Sequence, residues 1–219
     1  MSVKSVTYNF TSRKRAFGNQ WLIYSNKSQS ILSLLSDREV AHWVLNLEFC
    51  PEIKSFHFDD FEAEMMTVDG KVTTRYRLRV EFDSRVEFHK ISVEKSNANR
   101  AQEELFDSHL WRERHVRFKH FSDEDFHYHK QKIFPLLKLS AFLTISRDQY
   151  LPPNLVDSAI SHVNKFKSGT LLQYLSALTE YSKPSAMLQI YRMYNAGDVV
   201  ISFEETPFSL DSTWSLRNE

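Results

Sequence analysis

Arg13-Lys14-Arg15 is the densest cationic tract in the chain, and with Lys4 and Lys27 it makes the first 35 residues basic without a single acid. Such an arm is suited to contacting phosphates, and its plainer alternative is the solvated start of a domain. His120, His127 and His129 are close enough in sequence to suggest metal ligation. Alternate histidines share a face only on a strand, however, and the segment 122–145 reads as helix, so solvated or hydrogen-bonded rings are the simpler assignment. The run Asp59-Asp60-Phe61-Glu62-Ala63-Glu64 suits a cation or a basic partner, and equally the exposed edge of a sheet. Phe118, Phe121, Phe126, Tyr128 and Phe134 could stack on bases, but their spacing fits a core. Cys50 is the only cysteine and lies in an apolar stretch, so it makes no internal disulfide or thiolate cluster and is assigned to packing.

Composition bounds what these groups can belong to. A chain of 219 residues, 42% hydrophobic and 14% aromatic, can bury one substantial core or two small ones. Its net charge of zero does not by itself call for a nucleic-acid partner. No apolar run approaches the ~18 residues that cross a bilayer, and no basic-then-apolar leader pattern opens the sequence. These features lead to the expectation of a cytoplasmic protein with no membrane partner.

The positioning elements follow from periodicity. Ile31, Leu34, Leu35, Val40, Trp43, Val44 and Leu47 recur at helical spacing over 28–49. Ser36 followed by Glu39 resembles a capping box, which would start the helix there and leave 28–35 as strand or turn. Residues 53–66 read as a strand pair, with a hairpin turn at Val68-Asp69-Gly70-Lys71. Tyr76, Leu78, Val80 and Phe82 alternate with Arg75, Arg77, Arg79 and Glu81, as a half-buried strand requires. In the following strand Val86 and Phe88 hold one parity and Ile91 and Val93 the other, which predicts a bulge near His89-Lys90. A charged helix is expected at 98–114, a strand at 115–121, and one or two helices over 122–145 interrupted at Pro135. Pro152-Pro153 then marks a boundary between domains 1–150 and 151–219. Beyond it, 154–166, 169–181 and 184–196 carry helical spacing and 198–203 is strand-like, the outline of a winged-helix unit.

This order of landmarks resembles the TnsA family, the endonuclease subunits of two-component transposons. Tyr24-Ser25-Asn26-Lys27 is similar to that domain's opening strand. Ser36-Asp37-Arg38-Glu39, with Trp43, Leu47-Glu48-Phe49 and Pro51-Glu52-Ile53, resembles its catalytic helix and the turn after it. Segments 72–82 and 85–95 match its metal-bearing hairpin. Phe118 to Phe126 and Phe134-Pro135-Leu136-Leu137 match the closing strand and helix. Residues 155–214, with Leu188-Gln189-Ile190-Tyr191 and Pro207-Phe208-Ser209-Leu210, resemble its winged-helix tail. The resemblance implies an α/β (α+β) fold: a restriction-endonuclease-like mixed sheet flanked by helices, followed by a winged-helix-like domain. It also implies a PD-(D/E)xK site, in which carboxylates from different elements hold Mg²⁺ and a lysine assists the attacking water.

The residue types at those positions depart from the pattern. Taking Leu78 and Val93 as the buried residues puts Arg77 at the Asp position, Ser92 at the Glu/Gln position and Glu94 at the Lys position; Glu39 alone keeps its type. The other register, with Lys95 as the lysine, leaves Val93 facing the metal. An arginine beside one carboxylate repels a divalent cation, so no metal site is expected, and Arg77 and Glu94 are expected to pair. The expected function is that of a catalytically inactive TnsA-like protein of a bacterial mobile element or phage. It would bind DNA, a transposase or a regulator. Candidate DNA contacts are Arg13, Lys14, Arg15, Lys27, Lys183 and Arg192, with Lys165 and Lys167 nearby. One alternative is an active Mg²⁺-dependent endonuclease cutting 5′ strands beside a partner transposase, using Glu39 with Glu81, Asp83 or Glu94. A winged-helix DNA-binding regulator built on a nuclease scaffold is the other.

Overall fold

A computed structural model of the chain describes residues 20–58, 61–67, 70–94, 116–202 and 209–217, the side chains of 61–67 and 70–75 excepted. The tract Arg13-Lys14-Arg15, the expected helix at 98–114 and Lys95 lie outside the described residues. Two compact units are present. One is drawn from 20–47 and 52–130, the other from 48–51 and 131–217. The division therefore falls at 130/131, earlier than the paired prolines at 152 and 153.

The first unit opens with an antiparallel hairpin, β1 (Trp21–Ser25) and β2 (Ser30–Leu34). Leu32 and Leu34 are buried and Leu22 and Ile31 exposed, as the two faces of a strand demand. The apolar spacing at 31–35 thus belongs to a strand, not to the start of a helix. Ser36 caps helix α1 (Asp37–His42), its hydroxyl accepting from the Glu39 N–H at 3.2 Å. The helix then widens into a π turn at Trp43–Leu47.

β3 (Ile53–His57) is followed by a separate hairpin of β4 (Phe61–Thr67) and β5 (Gly70–Tyr76), then β6 (Leu78–Phe82), β7 (Val86–Ile91) and β8 (Val116–Phe121). The main sheet has four strands in the order β3-β6-β7-β8. Its first two pairs are antiparallel and β7 with β8 is parallel. A parallel neighbour needs a long crossover, and 92–115 provides its length.

The expected bulge in the second strand is absent: β7 pairs without irregularity, and the register shift lies in β3 between Ile53 and Ser55. Instead the ladder breaks at Arg77, between β5 and β6. Tyr76 packs on Phe88 and Phe118, whereas Leu78 pairs with His89 on the opposite face. Tyr76 and Leu78 have one parity in sequence and face opposite sides because of that break. α2 (Asp123–His127) follows β8 and is tied to α1 by a fork from Arg38 to Asp123, at 2.6 and 2.8 Å.

In the second unit, α3 (Lys130–Ile145) carries Pro135 in its second turn, so the interruption expected at that proline falls instead at 128–129. α4 (Pro153–Phe166), β9 (Ser168–Thr170), α5 (Leu171–Ala177), α6 (Lys183–Ala196), β10 (Val199–Ile201) and β11 (Thr213–Leu216) complete it. The strands form an antiparallel sheet ordered β10-β11-β9 over the buried Trp214 and Tyr174. α6 ends at Gly197 with φ +92°, a left-handed C-cap. A Cβ there would overlap the Pro51 ring. Gly197→Ala therefore meets both the left-handed penalty and a clash. Its expected cost is about 2–4 kcal/mol, read as a lower urea midpoint, and an unchanged midpoint would contradict this account of the cap.

Candidate functional site

The Glu87 carboxylate is fully buried in β7, where an isolated ion would not survive. Burial raises its pKa, but hydrogen bonds from His89, Lys119 and Arg85 outweigh that effect and bring it down to about 2. Arg85 Nε reaches Oε1 at 2.6 Å, and Oε2 receives Lys119 Nζ at 2.8 Å and His89 Nε2 at 3.1 Å. An ionised carboxylate only accepts, so His89 Nε2 carries a proton and its Nδ1 is the acceptor. His42 Nε2–H then donates to His89 Nδ1 at 3.0 Å, and Asn46 Nδ2–H to His42 Nδ1 at 3.2 Å. One directed chain from Asn46 to Glu87 fixes both tautomers with both rings neutral. Burial depresses both histidine pKa values, that of His42 most strongly. The π turn after α1 places Asn46 beside His42.

His89 also lines a cavity of about 260 Å³, together with Glu39, Phe58, Arg77, Leu78, Lys90 and Ile91. Glu39 accepts from the Leu35 N–H at 2.6 Å with one oxygen and from Arg77 Nη1 at 3.3 Å with the other. The pair is partly buried, with side-chain exposures of 12% for Glu39 and 33% for Arg77. This cavity brings together two of the sequence-derived site residues.

The remaining two lie elsewhere. The register Leu78↔His89 runs toward Lys90, not Glu94, as the neighbour of Arg77. β7 ends at Ile91, Val93 is 51% exposed rather than buried, and Glu94 is exposed. The expected Arg77–Glu94 pair is therefore replaced by Arg77–Glu39. The Ser92 hydroxyl donates to the Glu94 carbonyl at 2.8 Å, so the 2.6 Å contact with His120 is a donation from His120 Nε2–H. That geometry leaves the hydroxyl without a base. Glu81 pairs with Arg79 and Ser55 and shares the Val86 face of the sheet, away from Glu39; Asp83 lies beyond the end of β6.

No three His, Cys, Asp or Glu side chains converge as a metal site among the described residues. Glu39, the one carboxylate among the described residues of the cavity wall, is held by Arg77 and a backbone N–H, so the described donor set does not fit the Mg²⁺ that a PD-(D/E)xK site would take. Lys27 donates to the Ile53 carbonyl at 3.1 Å, and Arg192 to the carbonyls of Ser146, Arg147 and Gln149 at 3.0–3.3 Å. Lys183, Lys165 and Lys167 are exposed. No helix among the described residues is long and apolar enough to cross a membrane. Neither a protein-family model nor a characterised protein matches the chain in sequence.

The buried Glu87–His89–His42 chain escapes sequence reading because Val86 and Phe88 already fill the apolar parity of β7. Its signal is a Glu and a His at alternate positions of a strand covered on both faces. Two measurements test the network. Glu87→Gln strands Lys119 and Arg85 against a neutral amide and should cost about 3–5 kcal/mol in denaturant unfolding. Folding lowers both histidine pKa values, so the unfolded chain takes up protons first, from about pH 6.5 downward. Stability is thus full above that pH and falls below it, with a second loss between the ordinary carboxyl value of 4.5 and about 2, where Glu87 protonates. His42→Gln/His89→Gln should flatten the slope between pH 6.5 and 5; a wild type with pH-independent stability there would refute the assignment.

Proposed function

We propose that this chain is a TnsA-like protein in which the metal position of the nuclease fold is filled by an ion pair, and that it acts by binding rather than by cutting. The observation that carries this reading is the Arg77–Glu39 contact inside the cavity between α1 and the β6–β7 hairpin. A helix packed on a four-stranded sheet ordered β3-β6-β7-β8, antiparallel except for the last pair, is consistent with a restriction-endonuclease-like core. The helical acid of such a site has its counterpart in Glu39. The strand acid has become a cation, and a guanidinium beside a lone carboxylate favours anions over divalent metals.

In the second unit, the order α4, β9, α5, α6, β10, β11 and the sheet order β10-β11-β9 support a winged-helix reading. In such domains the helix equivalent to α6 enters the major groove. Here Ala186, Leu188, Gln189, Ile190, Tyr191 and Met193 are buried along α6, Tyr191 packs on Phe142, and Arg192 is engaged by carbonyls. This favours a protein partner, such as a transposase or a regulator, over groove readout by the tail. It weighs against the regulator alternative.

The active-nuclease alternative requires carboxylates converging on Glu39, and Glu81, Asp83 and Glu94 do not. Supercoiled plasmid and branched DNA incubated with Mg²⁺ or Mn²⁺ should remain uncut. Nicking that Glu39→Ala abolishes would overturn the proposal, as would specific Mn²⁺ binding heat lost in the same variant.

A further inference from the structure

We infer that the cleft between the second half of α4, the end of α6 and the end of β11 binds a free apolar α-amino acid, with its carboxylate on Arg217 and its ammonium on Asp198. The cleft lies wholly in the second unit, so the inference goes beyond the nuclease-fold reading and does not depend on it.

Two opposite charges stand side by side here without neutralising each other. The Arg217 N–H donates to the Asp198 carbonyl at 3.0 Å, one step beyond the Val199↔Leu216 pair of β10 and β11, and residues opposed in this way project to the same side of a ribbon. Both side chains line the cleft and are exposed. Opposite charges at that spacing ordinarily attract into a pair, yet among the described residues neither the Asp198 carboxylate nor the Arg217 guanidinium makes an ion pair. The Arg217 charge is felt by Tyr194, but burial lifts that phenol to about 12, so it stays neutral and is no counter-ion. The last carbonyls of α6 put the negative end of its dipole beside Asp198. That side of the cleft therefore suits an ammonium, and the planar fork of Arg217 suits a carboxylate.

The rest of the lining narrows the ligand further. Ile160, 40% exposed on α4, joins Met193 and Leu216 in an apolar surface, and Asn164 one turn after Ile160 adds an amide that bonds either ligand group. At about 690 Å³ the cleft falls within the ~300–1,000 Å³ of most small-molecule sites. An inorganic anion would use Arg217 and be repelled by Asp198, and a metal ion would meet the reverse. A zwitterion satisfies both charges. An α-amino acid carries its ammonium and carboxylate on one carbon, matching side chains on neighbouring strands, and its own side chain is left to cover the apolar surface. Exposed ionic contacts are weak, so the expected Kd is about 1 mM.

Amide correlation NMR spectra of the full chain, titrated with L-leucine, test the inference. Shifts should appear at Asn164, Gly197, Asp198 and Arg217 and saturate together. Glycine, which keeps the zwitterion but has no side chain, should bind about fivefold more weakly. Leucinamide, which lacks the carboxylate, and N-acetyl-leucine, which lacks the ammonium, should each bind more weakly than leucine. These comparisons use the wild-type chain and hold whether or not a variant folds. Arg217→Ala and Asp198→Asn should each weaken leucine about threefold. Leucinamide should be indifferent to Arg217→Ala, and N-acetyl-leucine to Asp198→Asn. Lys183→Ala, at the other end of α6, should change nothing. The inference is overturned by the absence of saturable shifts at the cleft, by glycine binding as well as leucine, or by losses that do not follow the group missing from the ligand. Equal shifts from sodium acetate or ammonium chloride would overturn it as well, since they would show binding of single ions.

Discussion

A carboxylate buried without compensation is one of the least tolerable features a core can contain, and Glu87 is buried completely. Its ionised form survives only because three donors from different places in the chain converge on it: Arg85 from the turn before β7, Lys119 from β8 and His89 from β7 itself. Lys119 can do this only if β8 runs parallel to β7 in the observed register, and His89 only if its other nitrogen is satisfied. His42 on α1 meets that second requirement, and Asn46 on the π turn satisfies His42. The requirement for donors thus passes from strand to strand and then to the helix, and it sets where α1 stands on the sheet.

That placement decides the chemistry of the cavity. α1 carries Glu39 one turn before His42, so a helix anchored through His42 brings Glu39 to the break at Arg77. His89, which could have served the cavity as a base, has no nitrogen left for it. Among the described lining residues, the acceptor Glu39 is already held by a backbone N–H and by Arg77.

Much of the fold could be read from local pattern. Ser36 marks the start of α1 because its cap on the Glu39 N–H has a short-range cause, although the Glu39 carboxylate takes the Leu35 N–H and so does not close a capping box; the β4–β5 and β6–β7 hairpins follow from alternation and turn residues. Of the two readings of 28–35 the strand holds, because three- and four-residue apolar spacing over so short a run also fits one strand of a hairpin whose exposed face carries Leu22 from β1 and Ile31 from β2. At the site, Glu39 and Arg77 were legible, but the partner of Arg77 was not. Extending alternation from Val86 through Val93 assumes a strand that continues, whereas β7 stops at Ile91, and parity carries no information past a strand end. The Glu87 network was hidden for a related reason: alternation reports one buried face, and β7 is covered on both.

Several cations in each unit serve internal order. Arg38 forks onto Asp123, Arg85 and Lys119 neutralise Glu87, Lys27 meets the Ile53 carbonyl, and Arg192 holds three carbonyls after α3. The chain's zero net charge gives no bulk electrostatic attraction to nucleic acid. α6 has six buried side chains between Ala186 and Met193, so much of its surface serves the core of its own unit.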